Sequence, residues 1–202
     1  MGEMKKVLIT GANGFLGSHI LIELLQEGHL PVLILRSTSD LWRISHLIGK
    51  CITYIIDQKR IDWSLIFSEN DIDGIIHTAT DYGRNSKYSD IIKTNVLFPL
   101  ELIEDGILKG LKYFINTDSF FSKPMYQQSY LNQYTSSKRI LENILIDMAG
   151  KLKVVNMRVE HVYGENDSEQ KFVTTILKQL ILGEDEILLT SGKQKSVSRV
   201  KI

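Results

Sequence analysis

Short, strongly apolar runs alternate along the chain with longer stretches in which apolar positions recur at helical spacing. The runs fall at 7–10 (VLIT), 31–35 (PVLIL), 52–56 (ITYII), 73–77 (DGIIH), 112–116 (KYFIN) and 153–157 (KVVNM). Most carry little polar alternation, which is how strands read when helices cover both faces of a parallel sheet. Helical patterns lie near 15–27, 41–48, 89–108, 134–149 and 169–182. This alternation predicts an α/β fold built on a doubly wound parallel sheet. Pro31 stands at a strand start, whereas Pro99 falls inside a helical pattern and should kink or interrupt it. From residue 165 the chain turns polar (ENDSEQKF), so the expected division is a first domain over 1–165 and a partial second lobe over 166–202.

Composition narrows the function classes. The 24 lysines and arginines balance 24 aspartates and glutamates, which leaves no basic field to attract nucleic acid or an acidic membrane. Cys51 is the only cysteine, so no internal disulfide can form, as suits a reducing compartment. No apolar run approaches the roughly 20 residues of a membrane-spanning helix. The N-terminal MGEMKK runs directly into the first strand with no signal-like segment before it. The expectation is a cytoplasmic protein with neither a nucleic-acid nor a membrane partner. His19, His29, His46 and His77 form no metal-spaced cluster with cysteine or carboxylates, so no metal is expected. Trp42 and Trp63 are expected to pack in the core or against a helix rather than to form a stacking platform.

The first strand runs into Gly11, Gly14 and Gly17 at three-residue spacing, and an amphipathic helix follows. Each glycine has a separate job. Gly11 permits the sharp turn, Gly14 lets the backbone approach a pyrophosphate, and Gly17 lets helix and strand pack closely. The helix N-terminus adds N–H donors and a partial positive charge. Strand, glycine turn and helix together point to a dinucleotide site that also takes in Asn13, Phe15 and Leu16. Acidic residues at the end of a second strand accept from the ribose 2′-hydroxyl of NAD. Here Arg36 stands at that place, and a guanidinium can pair with a 2′-phosphate instead. Ser37 can add a hydroxyl and Arg43 can reach in from further along, so the expected cofactor is NADP(H).

Tyr134 and Lys138 open another helical pattern as YTSSK. Spacing i, i+4 puts both on one helix face. An ammonium beside a phenol lowers its pKa from about 10, so that it can exchange a proton with an alcohol or sugar oxygen.

With these motifs in place the chain resembles the extended short-chain dehydrogenase/reductase family of nucleotide-sugar epimerases, dehydratases and ketoreductases. TGANGFLG, IIHTAT, TNV at 94–96, INTDSFF at 115–121, YTSSK and NMRVEHVYG at 156–164 carry the resemblance. It implies a Rossmann-type domain with a nicotinamide cofactor and a smaller C-terminal lobe for a nucleotide-sugar. It also implies a catalytic Ser or Thr just after the fifth strand. Thr117 matches, with Ser119 as the alternative if the register slips. The related dehydratases carry Asp-Glu after that threonine. This chain has Asp118 and then Ser119, which argues against dehydration and for ketoreduction or epimerisation. Residue by residue, the resemblance puts Asp57 at the adenine amino group and Thr78, Ala79 and Thr80 along the adenosine and pyrophosphate. Lys138 would also hold the nicotinamide ribose. Asn95 joins the cofactor-side set as a mainly structural asparagine. Val159 and His161 fall in the stretch that passes the nicotinamide and the sugar diphosphate, with His161 either a donor or a packed polar residue.

IIHTATDYG, INTDSFF and VVNMRVEHVYG further resemble the CDP-abequose synthase-like branch of nucleotide-sugar 4-ketoreductases, which serves bacterial O-antigen and lipopolysaccharide synthesis. That branch implies a CDP-linked 4-keto-3,6-dideoxyhexose as substrate and NADPH as hydride donor, with Tyr134 as proton donor and Thr117 positioning the oxygen. The resemblance also implies subunit pairing, as a possible homodimer, through helices near 89–108 and 134–149. Relatives continue past 202 residues and carry an Arg-Asp pair after the segment matching ILLTSGKQ. Here KSVSRVKI follows, so a truncated substrate lobe is expected. Two other readings stay open: an epimerase, and a non-catalytic NADP-binding remnant.

Overall fold

The computed structural model describes residues 3–57, 61–123, 131–184, 186–187 and 199–201. The stretch after Ile187, where the Arg-Asp pair is missing, lies largely outside the described residues. The chain forms two compact units, Met1–Val159 and Glu160–Ile202.

The first unit is a six-stranded sheet. Its elements are β1 (Lys6–Thr10), α1 (Phe15–Gln26), β2 (Leu30–Leu35), β3 (Ile52–Ile55), α2 (Trp63–Asn70), β4 (Gly74–His77), α3 (Tyr88–Ile92), α4 (Phe98–Leu108), β5 (Tyr113–Ser119), α5 (Asn132–Met148) and β6 (Lys153–Val159). The strand order is β3-β2-β1-β4-β5-β6, and every neighbouring pair is parallel. This is the doubly wound, Rossmann-type order, with a switch point between β1 and β4. Strand alternation splits the core over two faces. Leu8, Val32, Ile34, Ile75 and Phe114 pack with Trp63 and Phe67 of α2, Leu102 and Ile103 of α4, and Leu141 and Leu145 of α5. Ile9, Leu33 and Leu35 face the other way, onto Leu21 of α1 and onto Ile44 and Leu47.

Four differences from the sequence reading have physical causes. No helix forms over 41–48. Ile44 and Leu47 are buried at helical spacing, but the backbone makes successive tight turns, with Ile44 N–H on Leu41 O and Leu47 N–H on Ile44 O. Helix α2 was not expected. It starts where the Asp62 carboxylate accepts the Leu65 N–H at 3.0 Å, and it buries Trp63, Ile66 and Phe67. Trp42 is 52% exposed rather than packed in the core, whereas Trp63 is buried. Strand β5 runs on through Thr117 and Asp118 to Ser119, three residues beyond the apolar run, because β6 pairs with it as far as Val159.

Pro99 does interrupt its helix. Between α3 and α4 the backbone widens into an i→i+5 turn over Lys93–Leu97, and Phe98 N–H bonds Lys93 O. Proline has no N–H and crowds the carbonyl four residues earlier, and the wide turn places Pro99 in the first turn of a restarted helix.

The second unit contains β7 (His161–Tyr163), α6 (Phe172–Leu182) and β8 (Arg199–Lys201), with β7 and β8 parallel. Among the described residues no helix is long and apolar enough to cross a membrane.

Candidate functional site

The glycine turn is built as a cradle at the switch point. Gly11 has φ +72, and a Cβ there would come within 2.6 Å of Ala79 N and 2.8 Å of Thr78 Oγ1. A Cβ at Gly17 would run into the Gly11 carbonyl. Gly14 differs: its Cβ would meet only Gly11 O, at 3.2 Å. The space over Gly14 is therefore open, as a backbone that receives a pyrophosphate needs. Gly14 also caps α1 without any side-chain cap, and no acidic residue sits in the first turn with Phe15 and Leu16. Thr78 Oγ1 donates to Thr10 O at 2.7 Å and ties the loop after β4 to the end of β1. These features fit a dinucleotide.

The loop after β2 adjoins the cradle, since Asn13 Nδ2 donates to Asp40 O at 3.1 Å. Arg36 is exposed directly after β2. The Asp57 carboxylate accepts Ser37 N–H at 2.9 Å. Ser37's hydroxyl and backbone hold that carboxyl below the usual range, and Arg36's charge adds to the effect. The Arg43 guanidinium stacks 4.2 Å over the Trp42 ring.

At the ends of β4 and β5 a chain of hydrogen bonds leads from β1 to α5. Thr10 Oγ1 and His77 Nδ1 are bonded at 2.7 Å, Thr117 Oγ1 donates to His77 O at 2.9 Å, and Lys138 Nζ donates to Thr117 O at 2.8 Å. His77 is fully buried, and desolvation above all, aided by Lys138's charge, pushes its pKa down to about 3, so it is neutral. Lys138 is 1% exposed; desolvation pushes it down to about 8, opposed by the charge of Asp118.

Tyr134 is buried. Its phenol pKa is raised, foremost by desolvation and then by Tyr82, while Ser119 is the hydroxyl that draws it down. The sequence reading had Lys138 lowering this pKa. Instead the ammonium bonds a backbone carbonyl and lies 5.9 Å from the Tyr134 ring centroid, and burial dominates.

Strand alternation puts both candidate hydroxyls, Thr117 and Ser119, on one side of β5 and Asp118 on the other. Thr117 donates its hydroxyl proton to His77 O, whereas Ser119 Oγ accepts Phe121 N–H at 3.3 Å and is the hydroxyl that draws the Tyr134 pKa down. Asp118 is buried and accepts from Ser119 N–H, the Ser122 hydroxyl, Asn156 Nδ2 and Arg158 Nε. Arg158 is shared with Glu142 of α5.

The remaining candidates divide. Asn95 is wholly buried, accepts Asp81 N–H at 2.7 Å and the Thr80 hydroxyl at 3.3 Å, and donates to Asp81 O and Ser137 Oγ. It clamps the loop after β4. Val159 ends β6 opposite Ser119, while His161 begins β7 in the second unit. Among the described residues no group of His, Cys, Asp or Glu could hold a metal. Tyr82 had been given no role, yet its ring lies 5.0 Å from that of Tyr134. Its place in IIHTATDYG, just past a strand end at the switch point, was the available signal.

Comparison with known proteins agrees with this geometry. The chain is 36% identical over 195 residues to a CDP-abequose synthase of Salmonella muenchen, covering 95% of this chain and 64% of that protein. It therefore spans about two thirds of that relative's length. A UDP-glucose 4-epimerase of Caenorhabditis elegans is 30% identical over 172 residues, or 70% of this chain and 49% of that protein. In fold the chain is similar to a solved UDP-N-acetylglucosamine 4-epimerase of Methanobrevibacter ruminantium, with TM-score 0.79 at 20% identity over 99% of this chain and 70% of that one. Residues 7–196 match the family model described as the NAD dependent epimerase/dehydratase family, and the chain belongs to that family.

Proposed function

We propose that this chain catalyses NADPH-dependent reduction of the C4 ketone of a CDP-linked deoxyhexose. The observation that carries the reading is the buried Tyr134 phenol, held in its acid form by desolvation, with Lys138 Nζ 5.9 Å from its ring centroid. A nicotinamide bound along the glycine cradle would supply the hydride to C4. Tyr134 gives its proton to the carbonyl oxygen, which stays on C4 as a hydroxyl. A phenol held in its acid form suits that direction. Ser119 orients the same oxygen, in preference to Thr117, whose hydroxyl is engaged elsewhere. Lys138 supports the strand end through Thr117 O and, with a cofactor present, would hold the nicotinamide ribose. Asp118 is not the acid of a dehydratase, because Arg158 and three other donors occupy it. The CDP-linked substrate follows the 36% identity to CDP-abequose synthase, and the preference for NADP(H) rests on Arg36.

The similarity to a UDP-glucose 4-epimerase supports a second reading, epimerisation on the same residues. One assay separates the two. With NADPH and a CDP-4-keto-deoxyhexose, ketoreduction consumes one NADPH per sugar and Tyr134→Phe abolishes it. Interconversion of C4 epimers of a nucleotide hexose without net loss of NADPH would replace the reductase reading with the epimerase one. Binding of cofactor with no nucleotide-sugar bound at millimolar concentration would leave the non-catalytic reading.

A further inference from the structure

The loop after β4 is held more firmly than a connection needs. Asn95 projects from the i→i+5 turn into the interior and grips both backbone groups of Asp81, accepting its N–H at 2.7 Å and donating to its carbonyl at 2.8 Å. Its amide also donates to Ser137 Oγ at 2.9 Å, and Ser137 in turn donates to the Tyr134 carbonyl at 2.7 Å. One buried side chain thus locks the loop to the turn of α5 that carries Tyr134. On the far side Asp81 Oδ1 accepts Gly83 N–H at 2.8 Å. Gly83 has φ +71, and a Cβ there would press within 2.6 Å of Ile91 Cδ1, so the backbone cannot relax outward with an ordinary residue. Wide turns of this kind concentrate at functional sites.

Tyr82 is the residue displayed between these two anchors. It is 50% exposed, and its ring is 5.0 Å from that of Tyr134 at 36°. The Tyr82 ring thus walls one side of the Tyr134 ring. A half-exposed aromatic plane beside a proton donor is a wall for whatever carries the reacting oxygen. A fully hydroxylated hexose offers it little apolar surface. A sugar lacking hydroxyls at two carbons offers a C–H edge that an aromatic ring covers well.

We propose that Tyr82 is a substrate-positioning residue that packs against the deoxygenated edge of the sugar and fixes its carbonyl between Ser119 and Tyr134, thereby selecting deoxysugars. This rests on the ketoreductase reading. The test compares the full chain with Tyr82→Ala and Tyr82→Phe, using NADPH and two CDP-linked 4-ketosugars, one 3,6-dideoxygenated and one hydroxylated at those carbons. In Tyr82→Ala the KM for the dideoxy sugar should rise about tenfold, the loss of one aromatic contact, with kcat changed far less. Tyr82→Phe, which keeps the ring, should recover most of that loss. The KM for the hydroxylated sugar and the NADPH Kd should hold, which a collapsed loop would not allow. An active wild type whose Tyr82→Ala variant keeps both KM values, or loses both sugars equally, overturns this assignment alone. A wild type inactive on both sugars overturns the ketoreductase reading and this assignment with it.

Discussion

At the scale of single residues, the site is organised by what burial does to three titratable groups, Tyr134, Lys138 and His77. Lys138 is charged at neutral pH although burial holds its pKa near 8 against an ordinary 10.5. Keeping it charged costs on the order of 3 kcal/mol. Because the folded pKa is depressed, the unfolded chain binds the extra proton between pH 8 and 10.5, so stability rises through that window. Lys138→Met should therefore raise the thermal midpoint at pH 7, flatten its rise above pH 8 and abolish turnover; a lower midpoint at pH 7 would refute the burial argument. His77 follows the same sign in acid. With a folded pKa of about 3 against 6.5, it contributes stability that is lost as pH falls from 6.5 towards 3. The hydroxyls make a sharper test. Ser119→Ala should cut kcat about a hundredfold, within the usual range for an oriented proton-transfer partner. Thr117→Val should act mainly on stability, by about 1 kcal/mol for a lost buried hydrogen bond. Single-turnover rates beside urea titrations of the two variants decide between them, and the reverse pattern would return the role to Thr117. At the adenosine end, Arg36→Ala should cost roughly tenfold in NADPH affinity and little in NADH affinity. Equal losses for both cofactors would sink the 2′-phosphate role.

At the scale of elements, what could be read from the chain depended on how each element earns its burial. The six parallel strands were legible because central strands must be apolar on both faces, and the glycine turn because its steric demands leave little choice of residue. The 41–48 segment misled because Ile44 and Leu47 have helical spacing while the backbone satisfies itself in tight turns. Helix α2 is short, and its only local mark was the Asp62 cap. The end of β5 mattered most. Thr117, Asp118 and Ser119 are polar and read as a turn, yet pairing with β6 keeps them extended. A strand sends Thr117 and Ser119 one way and Asp118 the other, so extended pairing turns Asp118 away from the side the two hydroxyls share. The family resemblance had favoured Thr117 and kept Ser119 as the alternative. The wide turn before α4 shows the same coupling. Pro99 announced an interruption, but only the three-dimensional arrangement reveals that the interruption turns Asn95 inward as a clamp. Asn95→Leu, which fills the volume but strands the Asp81 backbone groups, should cost about 2–3 kcal/mol. A denaturant midpoint unchanged from wild type would show that the loop does not need this grip.

At the scale of the whole molecule, the two units differ in how they bury their apolar groups. The first encloses Leu8, Ile75, Phe114, Leu102, Ile103 and Leu141 completely, between one face of the parallel sheet and helices α2, α4 and α5. In the second, α6 buries none of its residues, and Phe172, Leu177, Leu180, Ile181 and Leu182 are all exposed. Few buried contacts mean a low free energy of local opening, whereas central strands open only when the whole unit unfolds. Amide hydrogen exchange should therefore separate the chain into two classes. The amides of β1 and β4 should exchange at the rate set by global unfolding, and those of α6 orders of magnitude faster. A dinucleotide that binds the glycine cradle adds a second, independent signature. At a hundred times its Kd, a ligand specific to the folded state stabilises by about 2.7 kcal/mol. NADPH should then slow exchange throughout β1, β2, β4 and β5 and leave α6 unchanged, because every residue of the cradle lies in the first unit. Protection of α6 equal to that of β4 without cofactor would show that the helix draws its stability from burial in a larger assembly, and the two-class description would then fail.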